Sequence, residues 1–198
     1  MSKLIVFEGM PGAGKTTLID YLTKRDISSV YFAVEQLVLD PVLNEEMQTS
    51  IQYIDTELER VKRALQTSLG TPMLLFDRNA LATLAFRYAK SRVEHKEREY
   101  LKLVEYFTTK TKLSDIRPDL LVLMDVSIEE SLNRRKDFSK NPLYKTWFDR
   151  EFLLMLQEFY RNWIPDICMA HNNLCIDTTN LSVDEVASNV QLFINRNQ

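Results

Sequence analysis

The chain has 198 residues, 45% of them hydrophobic and 27% charged, which suits one globular domain with at most a small lid or insertion. At that length roughly 70% of the unfolded surface can be buried, so no disulfide or metal staple is needed. The formal net charge of -3 and a pI near 5.5 supply no basic field of the kind nucleic-acid binding requires, and simple solubility accounts for the mild acidity.

In chain order, "MSKLIVFEGM" holds too short an apolar run for a signal peptide. Within it "KLIVFE" (3–8) reads as a buried parallel strand, ended by Gly9. A Gly-rich turn follows, and Leu18, Ile19 and Leu22 then recur at helical spacing, so a helix begins near Lys15. "SVYFAVE" (29–35) reads as a second strand. Residues 37–69 turn helical, broken early at Pro41, with Leu58, Val61 and Leu65 on one face and Gly70 as a C-cap. "TPMLLFD" (71–77) is a third strand, its Pro72 tolerable near the start.

Helices are expected over 79–93 and 96–113, the second presenting Tyr100, Leu103, Val104 and Phe107 on one face. "DLLVLMDV" (119–126) is a fourth strand, and 128–135 a short helix. The polar segment 136–149 carries Pro142 and lacks a clean period, so a mobile loop is expected there. A long helix over 150–165 precedes a fifth strand, "NLCID" (173–177). Ser182 then caps a last helix, with Glu185 at the capping-box position. Cys168 and Cys175, with only His95 and His171 in the chain, do not give zinc spacing or a disulfide framework. They read as reduced thiols of a cytoplasmic protein. No stretch approaches the ~18 apolar residues of a membrane span.

Strands alternating with helices imply an α/β fold in three layers, a five-stranded parallel sheet covered by helices on both faces. Ligands in such sheets bind beyond the carboxyl ends of the strands. Acids stand at those ends: Glu8, Glu35, Asp77, Asp125 and Asp177.

Residues 9–16, "GMPGAGKT", match G-x-x-x-x-G-K-[ST] in full, between a strand and a helix as that motif demands. Glycines let backbone N–H groups of Gly9, Met10, Pro11's neighbours Gly12 and Ala13, and Gly14 converge on phosphate oxygens, and the following helix adds its positive end. Lys15 can reach between β- and γ-phosphates, the Thr16 hydroxyl can ligate Mg²⁺, and Thr17 continues the cradle. "TKRD" (23–26) mimics a guanine-reading pattern but lies in the helix straight after the turn, and no D-x-x-G accompanies it. ATP is therefore the expected nucleotide, with Mg²⁺.

"FEGMPGAGKTT", "LLFDRNALATLAFRYA" (74–89), "PDLLVLMDVSIEESLNRR" (118–135), "FDREFLLMLQEFYRNWI" (148–164) and "IDTTNLSVDEV" (176–186) come in the order seen in thymidylate kinases and deoxynucleoside kinases, which the chain resembles over nearly its whole length. That resemblance implies one kinase domain over 1–198, a phosphate-loop fold, a lid at about 134–150, ATP and Mg²⁺ as cofactors, and a homodimer. It implies that Asp77 holds a magnesium-bound water while Arg78 grips the acceptor, the lesser alternative being a helix-capping Asp77 with Arg78 solvated. Asp125 resembles a second such acid, with helix capping as good a role. Arg134 and Arg135 resemble lid arginines that close over phosphates, and a solvated face suits them as well. Asp177 and Thr178, within 177–180, resemble the loop that touches adenine.

Glu35 separates the two sister groups. A nucleoside 5′-hydroxyl needs a general base, and deoxynucleoside kinases carry a glutamate at the end of strand two. The Arg-Glu-Pro-Gly-Gly stretch of thymidylate kinases is missing, and Pro11 stands where they tend to have an acid. "GAGKTT" and "DR" lie closer to thymidylate kinases. The balance leans to a nucleoside acceptor. Gln48 or Gln52 and the aromatics Phe32, Tyr53, Phe86 and Tyr88 are candidates for base recognition, or ordinary core. The competing expectations are a kinase acting on a non-nucleoside small molecule, and an ATP-binding regulatory protein without catalysis.

Overall fold

The structure is a computed structural model, and it describes residues 2–25, 29–32, 46–68, 70–114, 117–163 and 170–197. Five strands form one parallel sheet: β1 (Lys3–Gly9), β2 (Ser29–Phe32), β3 (Met73–Asp77), β4 (Leu120–Asp125) and β5 (Asn172–Asp177), in the spatial order β2-β3-β1-β4-β5. The central strand earns its place by composition. Ile5, Val6 and Phe7 are all fully buried, as a strand covered on both faces must be. The edge strand β5 is more polar and largely exposed.

Register decides where the chemistry goes. Phe7 pairs with Asp77, Gly9 with Met124, and Asp125 with Asp177, so the acid-bearing strand ends share one edge of the sheet. The connection after β1 runs toward β2 on one side, whereas that after β4 runs to β5 on the other. This reversal between β1 and β4 is where ligands bind in open parallel sheets.

The helices are α1 (Lys15–Arg25), α2 (Glu46–Thr67), α3 (Leu81–Val93), α4 (Glu97–Ser114), α5 (Ile128–Arg134), α6 (Arg150–Glu158) and α7 (Val183–Arg196). α1 packs against α7, while α3 packs against α2, α4 and α6. Right-handed crossovers place these two groups on opposite faces of the sheet, so the three-layer α/β fold read from the sequence is what the structure shows. Among the described residues no helix is long and apolar enough to cross a membrane.

Differences from the sequence reading cluster around 130–165. The expected loop at 136–149 is built from two 3₁₀ turns, Lys136–Phe138 and Pro142–Phe148. A 3₁₀ turn repeats every three residues, so it leaves no 3.6-residue apolar period to read. The helix expected over 150–165 is α-helical only to Glu158, then widens into a π turn, Phe159–Trp163. Strand β2 is described to Phe32, and residues 33–45, with Glu35 and Pro41, lie outside the described residues.

Candidate active site

The phosphate loop follows directly from β1. Gly9 has φ +124°, and a Cβ there would stand 2.1 Å from the Met124 carbonyl oxygen of the neighbouring strand. Only glycine permits that approach, which the Met10 N–H uses to donate to Met124 O at 3.0 Å. Gly12 has φ +76°, with a would-be Cβ 3.1 Å from Ser131 O. The loop is held from α5 by the Ser131 hydroxyl, which donates to Pro11 O at 2.7 Å, and from the loop after β5 by the Thr178 hydroxyl, which donates to Ala13 O at 3.1 Å.

Residues Pro11, Gly12, Ala13, Gly14, Lys15, Thr16 and Thr17 line a cleft of about 580 Å³ together with Asp77, Arg78, Arg134 and Thr178. The Lys15 ammonium is buried and donates to the carbonyls of Gly9 and Met10, at 2.9 and 2.7 Å. Burial, reinforced by the Arg78 charge, holds its pKa well below the usual 10.5, against the pull of Glu8 and Asp77. The Thr16 hydroxyl donates to Asp77 Oδ2 at 2.5 Å. Loop and strand β3 therefore meet through this hydroxyl and carboxylate, and at the start of α3 it is Asn79 Oδ1 that accepts from Leu81 N.

A second cavity of about 680 Å³ opens on the other side of Arg78 and Pro11, which line both spaces. Its walls come from α2 (Ser50, Tyr53, Glu57), from α3 (Ala82, Thr83, Phe86, Arg87), from the 3₁₀ turns (Phe138, Trp147, Phe148) and from Tyr160. Phe86, Trp147 and Phe152 pack ring against ring, with centroids 5.2 to 5.6 Å apart. This aromatic cluster joins the second 3₁₀ turn and α6 to α3. Of the candidate base-reading residues, Tyr53 and Phe86 reach this cavity. Tyr88 is buried in the core, its hydroxyl donating to Glu158 at 2.6 Å.

Arg78 lies between the two cavities. Its backbone is left-handed, with φ +69°, an uncommon state for a non-glycine residue. Its guanidinium sits 3.8 Å from Glu8 Oε2 and 3.4 Å from the Tyr160 hydroxyl. Burial works against the Arg78 charge, but Tyr160, Glu8 and Asp77 outweigh it and raise the pKa. Glu8 is wholly buried. Desolvation pushes its carboxyl up, opposed by Arg78, the Asn79 N–H, Lys15 and Tyr160.

The two adjacent arginines at the end of α5 differ. Arg134 is bound to the carbonyls of Gly12, Thr178 and Thr179 at 3.1, 2.8 and 3.2 Å, and to Glu130 at 2.8 Å. It ties the phosphate loop to the loop after β5. Arg135 donates to Ser131 O and Trp147 O, at 3.1 and 2.9 Å, lies over the Phe148 ring at 5.0 Å, and lines the second cavity. Burial, then the Arg78 charge, lowers its pKa. Neither arginine presents a purely solvated face.

Two strand-end acids are engaged elsewhere. Asp125 Oδ2 is paired with Arg161 at 2.5 Å and its Oδ1 accepts from Gln157 at 2.8 Å, while Ser127 caps α5. Asp125 thus ties the end of β4 to α6 and the π turn, and the cap of α5 is Ser127 rather than Asp125. Asp177 accepts from the N–H and hydroxyl of Thr179, at 2.9 and 2.5 Å, and these bonds hold its pKa low. Glu35 lies outside the described residues. Sequence reasoning missed Tyr160, Arg60, Ser131 and the Trp147–Phe148 wall. A tyrosine in a π turn carries no local signature, and Arg60 reads as one more polar helix residue.

These features define a phosphate-loop α/β protein with a second cavity beside its phosphate-loop cleft. The family model described as an AAA domain matches residues 4–139, and the chain belongs to that family. More particularly, it is similar to proteins named as thymidylate kinases. A probable thymidylate kinase of Methanococcus aeolicus is 26% identical over 196 residues, covering 94% of this chain and 92% of that protein. A thymidylate kinase of Prochlorococcus marinus is 26% identical over 174 residues, covering 76% and 78%. Among solved structures, deoxyadenosine kinase from M. mycoides with the products dCMP and dCDP matches with a TM-score of 0.74 at 16% identity, covering 98% of this chain and 99% of that one. The same enzyme with bound dATP matches with a TM-score of 0.72. The sequence relatives carry one sister-group name and the structural neighbours the other, as the mixed motifs do.

Proposed function

We propose that this chain is an ATP-dependent kinase that transfers the γ-phosphoryl group to a nucleoside or a nucleoside monophosphate. The observation that carries this is the meeting of a phosphate-loop cleft and an aromatic-walled cavity at Pro11 and Arg78. Phosphoryl transfer demands positioning and charge neutralisation rather than covalent chemistry by the protein. Loop N–H groups and the α1 N-terminus hold the phosphates, while Lys15 leaves the loop carbonyls for the β/γ oxygens. An anion there reverses the burial penalty on its ammonium.

The Thr16 hydroxyl and Asp77 carboxylate are hard oxygen donors 2.5 Å apart, which fits Mg²⁺ bound mainly by nucleotide oxygens and water. When bound, that ion neutralises the β/γ oxygens. Arg78 stands where the transferring group passes and Arg135 flanks it. The same proposal makes residues 1–198 one domain with 134–150 as lid, in a cytoplasmic homodimer.

For the acceptor, Glu35 as general base supports a nucleoside 5′-hydroxyl. A monophosphate is favoured instead by the two guanidiniums, Arg78 and Arg135, lining the acceptor cavity. The experiment is incubation with ATP, Mg²⁺ and a panel of nucleosides and monophosphates, with products resolved by chromatography. Turnover of at least one member is expected, and none at all would sink the proposal. With a nucleoside acceptor, Glu35→Gln is expected to slow transfer by about 10²-fold or more. An unchanged rate removes Glu35 as base.

A further inference from the structure

We propose that Arg60, with its counter-ion Glu57, is a positioning residue for Arg78; this rests on the phosphoryl-transfer reading above. Arg60 projects from α2 and donates from Nη2 to the Arg78 carbonyl at 2.8 Å. The same guanidinium is paired with Glu57 Oε2, at 2.5 Å through Nη2 and 3.1 Å through Nε, and lies 4.7 Å from the centroid of the Phe76 ring in β3. The pair is enclosed, with side-chain exposures of 3% for Arg60 and 10% for Glu57.

The target of this bond is what gives it meaning. Arg78 holds a left-handed backbone, which persists only where its surroundings over-determine it. Those surroundings are visible. The Arg78 N–H donates to Phe7 O at 2.9 Å, and the Asn79 N–H to Glu8 Oε1 at 2.8 Å. Arg60 takes the remaining carbonyl between them. With the peptide planes on both sides fixed, the side chain leaves the strand end toward the junction of the two cavities and meets Glu8 and Tyr160.

A tie between α2 and β3 alone would not need charges. Buried ion pairs replaced by well-packed apolar side chains are often neutral or stabilising, so stability is a poor account of this pair. A planar guanidinium offers what apolar packing cannot: one edge for the carboxylate and a second donor aimed at a carbonyl. Because Glu57 itself lines the acceptor cavity, Arg60 is the cleaner residue to vary.

The test uses the full chain with Arg60→Met, which keeps the stem over Phe76 but removes the donors, and Arg60→Met/Glu57→Gln, which also removes the orphaned charge. With the acceptor found in the panel, kcat is expected to fall about 10- to 10²-fold while KM for ATP stays within about threefold, and Arg60→Lys to recover part of the loss. In an Arg78→Ala background Arg60→Met should add almost nothing, since both act through one group. Amide hydrogen exchange gives a readout independent of turnover: faster exchange at Arg78 and Asn79, with Leu74 to Phe76 unchanged. Wild-type kcat in folded Arg60→Met, additive losses with Arg78→Ala, or unchanged exchange at Arg78 and Asn79 each overturn the proposal. So does failure of both variants to fold beside a folded Arg60→Lys, because the pair is then structural. If the wild-type chain transfers to no acceptor, the kinase reading fails while the exchange measurement still decides the role of Arg60.

Discussion

The two sides of the Arg78 junction are made of different material. The phosphate-loop cleft is built around eight consecutive positions, 11–18, in a loop whose backbone is braced by hydroxyls of Ser131 and Thr178. The acceptor cavity is mainly side chain, gathered from α2, α3, two 3₁₀ turns and the π turn. Backbone sites tolerate little variation because each atom of the main chain is already committed. Side-chain sites can be rebuilt residue by residue, so one scaffold can serve several acceptors. Substitutions on the donor side should therefore fail wholesale, and those on the acceptor side by degrees.

The sharpest way to break this contrast is Gly9→Ala. One methyl group would stand 2.1 Å from a main-chain oxygen of β4, which no rotamer change can relieve. The β1–β4 register must open and the loop must tilt. The expected result is a loss of more than about 4 kcal/mol of stability, with nucleotide binding gone, by thermal melting and titration calorimetry with a non-hydrolysable ATP analogue. An alanine variant that melts and binds like the wild type would show that the donor side is as adaptable as the acceptor side.

On the acceptor side, Tyr160→Phe removes one hydroxyl, 3.2 Å from Glu8 Oε2 and 3.4 Å from Arg78 Nη1. The charged pair stays in place but loses a partner, and hydrogen bonds to charged groups are worth roughly 1.5–3 kcal/mol. A fall of about tenfold in kcat/KM for the acceptor is expected, with KM for ATP unchanged. Burial, with Glu8 nearby, raises the Tyr160 pKa far above neutrality, so the size of the defect should not vary between pH 6 and 8. A change in ATP affinity instead would mean that the two cavities are coupled more tightly than their shared residues imply.

The same contrast explains what could be read from the sequence. "GMPGAGKT" announces its role because a backbone cradle needs its glycines, lysine and threonine adjacent in the chain. Strands β1, β3 and β4 were legible for a related reason: parallel strands buried on both faces write continuous apolar runs. Tyr160 and Arg60 were not legible, because each acquires its role from a partner far along the chain, Glu8 and Arg78 respectively. Asp125 shows the converse. Its position at a strand end promised chemistry, yet Arg161 and Gln157 engage both of its oxygens. Position along a strand places a side chain at the edge of the sheet, and only packing decides which neighbour claims it.

The mildest test concerns a donor-side feature made of side chains. Ser182 and Glu185 form a reciprocal capping box at the start of α7, whose Val183 and Val186 line the donor cleft. Glu185 Oε2 accepts from the Ser182 N–H at 2.8 Å and its hydroxyl at 2.7 Å. Those bonds, the backbone one first, hold the Glu185 carboxyl below its ordinary 4.5. A depressed carboxylate pKa contributes stability above the unfolded value and loses it as pH falls through the folded one. Glu185→Ala should therefore lower the melting temperature slightly at pH 7, and the gap from wild type should close as pH drops below 4.5. The group is fully exposed, so added salt should weaken the charge-dependent part of the gap. KM for ATP should change by less than about twofold, because the loop atoms that face the phosphates do not depend on this cap. A gap that persists undiminished at pH 3 would assign the effect to helix propensity rather than to the carboxylate. A large rise in KM would move α7 from the frame of the donor cleft into its working surface.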